Sequence, residues 1–206
     1  MTPRFRHTLR RIWFPATLGL GLVVYELLFT WLLIYGEPAG TRWLGDTLQN
    51  SGDAAVYLAY IRQGSWLLAN PFAVEPHALR FDLIWSSLSM IHAWTRLPPV
   101  LIHEAARWLA TIALAFSIHA AARSVAKDER EARFASLLAA GGIGLGWLYS
   151  AAIGAANQWT LKTDGAPDIV SEFSVAPNLL GGAHLILSVA LLLNVMRGIW
   201  DIHDDA

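Results

Sequence analysis

Long apolar runs constrain this chain more than any other feature of its sequence. Four of them stand out, at 12–35, 100–122, 134–155 and 179–196. About 20 consecutive apolar residues are enough for an α-helix to cross a hydrocarbon core about 30 Å thick. Only 15% of the 206 residues are charged, against 55% that are hydrophobic, which leaves too few charges to cover a soluble surface. We therefore predict an all-α polytopic membrane protein in one domain, with about four transmembrane helices and amphipathic helices in an outer loop.

The positive charges predict how these spans are oriented. They gather in the leader and in the link 123–133, at Arg4, Arg6, Arg10, Arg11, Arg123, Lys127, Arg130 and Arg133. Segments rich in Lys and Arg stay in the cytoplasm. The N-terminus should therefore be cytoplasmic and the large loops 36–99 and 156–178 should lie outside. We interpret the first run as an uncleaved signal anchor, since it is longer than a signal-peptide core and no A-x-A-like site follows it.

The segment 81–97 is apolar enough to suggest a fifth span. It is short, however, and ends in the sequence Arg96-Leu97-Pro98-Pro99. A fifth span would also place the basic link 123–133 outside. We therefore predict an interfacial or re-entrant helix on the outer surface.

Composition excludes several classes of function. A net charge of -1 provides no basic surface for nucleic acid, so we expect no nucleic-acid partner. The chain has no Cys, which excludes disulfides, thiolate nucleophiles and Cys-ligated metals. No H-E-x-x-H, P-loop or G-x-S-x-G motif is present. Any catalysis must use carboxylates, His, Arg, Tyr or hydroxyl groups.

The outer loop 36–99 contains the most informative candidate, Asp53. The sequence predicts a helix that starts at Gly52 and is stopped by Asn70-Pro71. At helical spacing, Asp53, Tyr57 and Tyr60 fall on one stripe. A carboxylate there could deprotonate a hydroxyl or bind a divalent cation. The alternative, which spacing alone favours, is that Asp53 only caps the helix.

Further candidates are predicted on the same side of the membrane. Glu75 and His77 follow Pro71, and Glu104 and Arg107 lie one helical turn apart at the start of the second span. Arg107 could bind a lipid phosphate through its guanidinium fork. The alternative is an ion pair with Glu104 at i, i+3, which we favour.

The second outer loop contains several acidic residues. Asp168 and Glu172 are four residues apart, Asp164 precedes them, and His184 follows in the fourth span. Asp53, Asp168 and Glu172 are candidate ligands of a divalent cation, with His184 as an imidazole donor. A solvated acidic loop is the commoner explanation of such a pattern.

Two features lie within predicted spans. Glu26 lies in the middle of the first span, where an ionisable group usually faces the interior of the bundle. His119 and His184 are its candidate partners, and an interhelical hydrogen bond competes with a role in transport or proton transfer. Gly142 and Gly146 have the small-xxx-small spacing that lets a neighbouring helix approach closely, so they predict a helix–helix contact.

The order of these segments resembles a known family. An Arg-rich leader and one span precede Asp53-x-x-x-Tyr57, then the sequences NPFAVEPH and IHEAARWL. This order resembles the N-terminal part of GT-C-type polytopic glycosyltransferases and of bacterial membrane relatives. The resemblance implies a protein of the bacterial cytoplasmic membrane that transfers a sugar from a polyprenyl-phosphate donor on the outer face. It implies Asp53 as the catalytic base.

The resemblance also predicts the residues around the substrate and the extent of the chain. By this reading, the substrate-binding residues are Tyr57, Glu75, His77, Arg107, Glu172 and His184. Members of the family commonly have more spans, so this chain is expected to be a truncated member or a small relative. The competing interpretation is a non-catalytic small membrane subunit of a larger complex. A small transporter is a third class, which only Glu26 supports.

Overall fold

A computed structural model describes residues 3–35, 51–71, 79–141 and 183–204, and this part of the chain is mostly helical. It contains six helices and one two-stranded antiparallel sheet. In chain order these are α1 (Pro3–Tyr35), α2 (Ser51–Arg62), β1 (Leu68–Ala69), β2 (Leu79–Arg80), α3 (Leu83–Thr95), α4 (Pro99–Val125), α5 (Glu129–Gly141) and α6 (Ala183–Asp204).

Two of the described helices are long and apolar enough to cross a membrane, α4 and the 183–200 part of α6. They correspond to the predicted spans 100–122 and 179–196, although residues 179–182 lie outside the described part. The predicted span 12–35 lies within α1, where the apolar stretch Ile12–Leu28 is shorter. Most of the predicted span 134–155, together with Gly142 and Gly146, lies outside the described residues. Four spans therefore remain a prediction.

Helix α4 is the central element, because α1, α5 and α6 all pack against it. It begins at Pro99, and proline suits the first helical turn because the N–H that it lacks would have no partner there. Small and branched apolar residues form the core between α4, α5 and α6, namely Ala110, Leu114, Ile118, Ala140, Ile186 and Ala190. On α1, a Cβ added to Gly19 would lie 3.1 Å from the Cα of Ile112, so these two helices approach closely.

A second apolar cluster lies under α2 and α3 at the N-terminal end of α4. Its members are Tyr60, Ile61, Leu68, Trp85, Leu88 and Ile102. Asp82 caps α3 by accepting hydrogen bonds from the backbone N–H groups of Ile84 and Trp85, both at 3.1 Å. A helix is therefore present within 81–97, as α3, while its place on the outer surface remains a prediction. Its 13 residues span about 20 Å, too short to cross a bilayer.

The structure differs from the prediction at the end of α2. The helix ends at Arg62 rather than at Asn70-Pro71, because Gly64 has a left-handed backbone with φ of 64°. The side chain of Gln63 then pairs with both backbone groups of Ala69, donating to its carbonyl and accepting from its N–H, each at 2.8 Å. These bonds fix β1, which pairs with β2, so the fold also contains a short antiparallel ladder.

Candidate functional site

A buried network of charged side chains links α1 to α4. Nε of Arg107 donates to Glu26 at 3.3 Å, and Nη2 lies 2.7 Å from Glu104. The hydroxyl of Thr111 donates to the other oxygen of Glu26. Arg107 and Glu26 are 1% and 0% exposed, and Glu104 is 5% exposed. Isolated buried charges are very unfavourable, so each of these groups depends on the others.

The network confirms one sequence-based interpretation and corrects another. The i, i+3 ion pair between Glu104 and Arg107 is present. The suggested partners of Glu26 were wrong, because Glu26 contacts Arg107 and Thr111. His119 instead lies 3.0 Å from the hydroxyl of Ser136 on α5. Glu26 on α1 lies opposite Arg107 on α4. This pairing depends on how the two helices pack, which the spacing of residues in the sequence does not show.

Next to this network, towards the N-terminal end of α4, aromatic and imidazole rings from four helices meet. Tyr57 of α2 stacks on Trp85 of α3, with ring centroids 4.3 Å apart and planes 8° apart. The ring of His103, on α4, lies 6.0 Å from that of Trp85 and nearly parallel to it. The hydroxyl of Tyr57 lies 3.4 Å from Nε2 of His184, on α6. We call Tyr57, Trp85, His103 and His184 the ring cluster.

His103 and Glu104 join the ring cluster to the charged network. Nδ1 of His103 lies 3.3 Å from Oε1 of Glu104. His103 is 2% exposed, and its Nε2 has no hydrogen-bond partner in the part of the chain that the structure describes. Because an ionised carboxylate can only accept, the contact requires the proton on Nδ1. In neutral His103, Nε2 would then carry the free electron pair.

The structure brings three of the predicted site residues to this end of the bundle. Tyr57 and His184 belong to the ring cluster, and Arg107 lies beneath it. Asp53 lies in the first turn of α2, one turn before Tyr57, while its side chain lies outside the described part. The capping and cation-binding roles of Asp53 therefore remain predictions.

The other predicted site residues lie outside the part of the chain that the structure describes, namely Glu75, His77, Asp164, Asp168 and Glu172. The described residues contain no group of three His, Asp or Glu side chains that could hold a metal ion.

The guanidinium of Arg107 is engaged by protein carboxyl groups, whereas binding a phosphate requires free N–H donors. The guanidinium already contacts Glu26 and Glu104, and Nη2 also lies 3.4 Å from the hydroxyl of Thr30. A lipid phosphate would have to displace one of these carboxylates. Phosphate binding by Arg107 stays a prediction, and its described contacts are those of a structural ion pair.

Sequence reasoning missed His103 and Trp85 as site residues. The signal for His103 was the spacing in IHEAARWL, where His103 and Arg107 are four residues apart on either side of Glu104. At helical spacing these side chains share one face. No comparable signal marks Trp85, because the α3 sequence also contains Trp94, which is 74% exposed.

An apolar groove runs beside the ring cluster between α3, α4 and α6. It has a volume of about 380 Å³ and is lined by apolar side chains and one hydroxyl, from Leu83, Ile84, Ser87, Leu88, Ala106, Leu109, Ala110, Ala113, Ala183 and Leu187. The hydroxyl of Ser87 donates to the carbonyl of Leu83 in its own helix, at 2.6 Å. The groove therefore suits an apolar occupant. It adjoins the cluster because Ile84 directly precedes Trp85 and Ala183 directly precedes His184.

No protein-family model, curated protein sequence or solved structure matches this chain.

Proposed function

We propose that this chain is a GT-C-like membrane glycosyltransferase, or a part of one. In this proposal it transfers a sugar from a lipid-phosphate donor at the outer face of the bacterial cytoplasmic membrane. One observation carries the proposal. The helix that bears Asp53 is held by Tyr57 against Trp85, His103 and His184, so candidate side chains from four helices meet at one end of the bundle.

Two neighbouring features support a lipid-linked donor. The apolar groove beside the ring cluster has a volume of about 380 Å³, within the usual range of small-molecule sites. It is bordered by α4 and α6, the two helices that are long and apolar enough to cross a membrane. A polyprenyl chain in the groove would place its phosphate and sugar close to the rings of Tyr57 and Trp85.

Asp53 is the catalytic carboxylate of this proposal. Two roles are open to it, as the base that deprotonates the acceptor hydroxyl or as the ligand of a divalent cation that polarises the donor phosphate. Tyr57 and His184 are proposed to bind substrate, together with Glu75, His77 and Glu172. Arg107 is proposed to support them by holding Glu104.

The first experiment compares Asp53→Asn with the wild-type chain in proteoliposomes. The donor is a radiolabelled polyprenyl-phosphoryl sugar, and a bacterial membrane-lipid extract supplies acceptors. Both candidate roles of Asp53 require its ionised carboxylate, so we expect Asp53→Asn to slow transfer at least about 100-fold. Asp128→Asn is the matched control, because Asp128 is exposed in the turn between α4 and α5 and lies outside the site. A wild-type rate in Asp53→Asn would contradict the role of Asp53.

A second candidate function is a non-catalytic membrane subunit of a larger complex. The observation that favours it is that Glu26, Glu104 and Arg107 satisfy one another, as a structural ion network does. This alternative predicts that the chain purifies from its native membrane with a stoichiometric protein partner. It also predicts that Asp53→Asn leaves the activity of that complex unchanged. Mass spectrometry of the mildly solubilised complex would separate the two functions.

A further inference from the structure

We propose that His103 accepts the proton of the acceptor hydroxyl, and that Glu104 and Arg107 orient its ring for this purpose. The inference rests on the proposed glycosyl transfer and adds a catalytic residue to it. It leaves Asp53 with the second of its two candidate roles, which is to bind a divalent cation.

The orientation of the His103 ring is the first argument. Glu104 is fixed by Arg107 at 2.7 Å, and its other oxygen lies 3.3 Å from Nδ1 of His103. That contact keeps the proton on Nδ1, so Nε2 of the neutral ring carries a lone pair. A carboxylate that fixes the tautomer of a histidine base in this way is a recurring arrangement in catalytic triads and dyads.

The surroundings of Nε2 are the second argument. His103 is almost completely buried, and Nε2 lacks a hydrogen-bond partner among the described residues. Buried polar atoms are nearly always paired, and an unpaired one in a native structure calls for an explanation. The two adjacent rings, Tyr57 and Trp85, lie nearly parallel to the His103 ring and face it with their π surfaces. A substrate hydroxyl would give this nitrogen the partner that it lacks.

The carboxylate beside His103 is the third argument. Glu104 lies 3.3 Å from Nδ1 of His103 and 2.7 Å from Arg107, with little exposure to solvent. A proton transferred to His103 would be stabilised across the contact with Glu104, as the carboxylate of a catalytic triad stabilises the imidazolium beside it.

The proposed step is balanced without any further reactant. The acceptor oxygen attacks C1 of the donor sugar, and the bond between C1 and the phosphate oxygen breaks. The bonding electrons leave with the polyprenyl phosphate, while the hydroxyl proton moves to Nε2 of His103. The imidazolium later releases the proton to water, which restores the resting form.

The test measures transfer by His103→Gln in the full chain, using the same donor and lipid extract. We expect a rate at least about 100-fold below wild type, the usual effect of losing a general base. His92→Gln is the matched control, because His92 lies on α3 and contacts the carbonyl of Leu97 at 2.7 Å. A wild-type rate in His103→Gln, with an active wild-type chain, would overturn the role of His103 alone. Absence of transfer by the wild-type chain would overturn the glycosyltransferase proposal, and with it the reaction assigned to His103.

A second measurement tests the orientation of the ring without relying on activity. The full chain, with its seven histidines labelled with ¹⁵N, would be examined by NMR in nanodiscs, and His103→Gln would identify the signal. We expect neutral His103 to carry its proton on Nδ1 and to change that signal in Glu104→Ala. A proton on Nε2 in the wild-type chain would overturn the proposal, because that nitrogen could not then accept another.

Discussion

At the scale of single residues, Arg107 joins Glu26 and Glu104 into one buried network. It lies between two carboxylates that would otherwise repel each other in a medium of low polarity. Thr111 supplies Glu26 with a further hydrogen bond. A buried ion network often adds little net stability over apolar residues of the same volume, but removing one member is costly. The network thus fixes α1 against α4 and positions Glu104 beside His103.

Truncation of Arg107 tests this account of the network. We expect Arg107→Ala to lower the free energy of unfolding by about 3–5 kcal/mol, because it leaves two buried carboxylates without a cation. Reversible unfolding in mixed micelles would measure the change. Arg130→Ala is the control, since Arg130 is exposed on α5 and such changes usually stay within about 0.5 kcal/mol. Equal stability of the two variants would show that Arg107 is not buried in this way.

The limits of sequence reasoning are clearest at this scale. The Glu104–Arg107 pair was predictable, because both residues lie on one helix and their spacing is fixed. The pairing of Glu26 with Arg107 was not, because it joins residues 81 positions apart through the register of two packed helices. The same holds for Tyr57 and His184, which are 127 positions apart. Contacts of this type require tertiary information.

At the scale of elements, local chemistry explains the helix boundaries. Asp82 starts α3, and Pro99 starts α4. The predicted helices over 81–97 and 100–122 match these elements because their start signals are local. The end of α2 was mispredicted because the interpretation relied on Asn70-Pro71 and did not consider Gly64. A glycine at position 64 was a usable signal, since glycine adopts the left-handed backbone seen there, whereas the pairing of Gln63 with Ala69 could not be predicted from the sequence.

The packing of α1 against α4 gives a prediction at this scale. Gly19 faces Ile112 closely, whereas a Cβ added to Gly21 would meet no atom within 4 Å. We therefore expect Gly19→Leu to be less stable than Gly21→Leu by about 1–3 kcal/mol, the usual cost of overpacking. Because both substitutions replace glycine within the same helix, helix propensity cancels in the comparison. Thermal unfolding in one detergent would measure the difference, and equal melting temperatures would contradict the close approach.

At the scale of the whole molecule, the described helices form a bundle around α4. The site lies at the N-terminal end of α4, and the basic link to α5 lies at its other end. Large apolar side chains are exposed along α6, at Leu191, Leu192, Val195, Met196, Ile199 and Trp200. A patch of this kind is unfavourable in water and is typical of a surface that contacts lipid or another protein. The proposed orientation would put the ring cluster at the outer face and the basic link in the cytoplasm.

Cysteine labelling tests that placement most directly, because the chain contains no Cys and every signal would come from the introduced residue. Leu67→Cys lies between α2 and β1 near the site, and Lys127→Cys lies between α4 and α5, both at exposed positions. In intact spheroplasts, a membrane-impermeant maleimide should label the first variant, and should label the second only after the membrane is permeabilised. Labelling of both positions in intact cells, or of Lys127→Cys alone, would contradict a site at the outer face of the membrane.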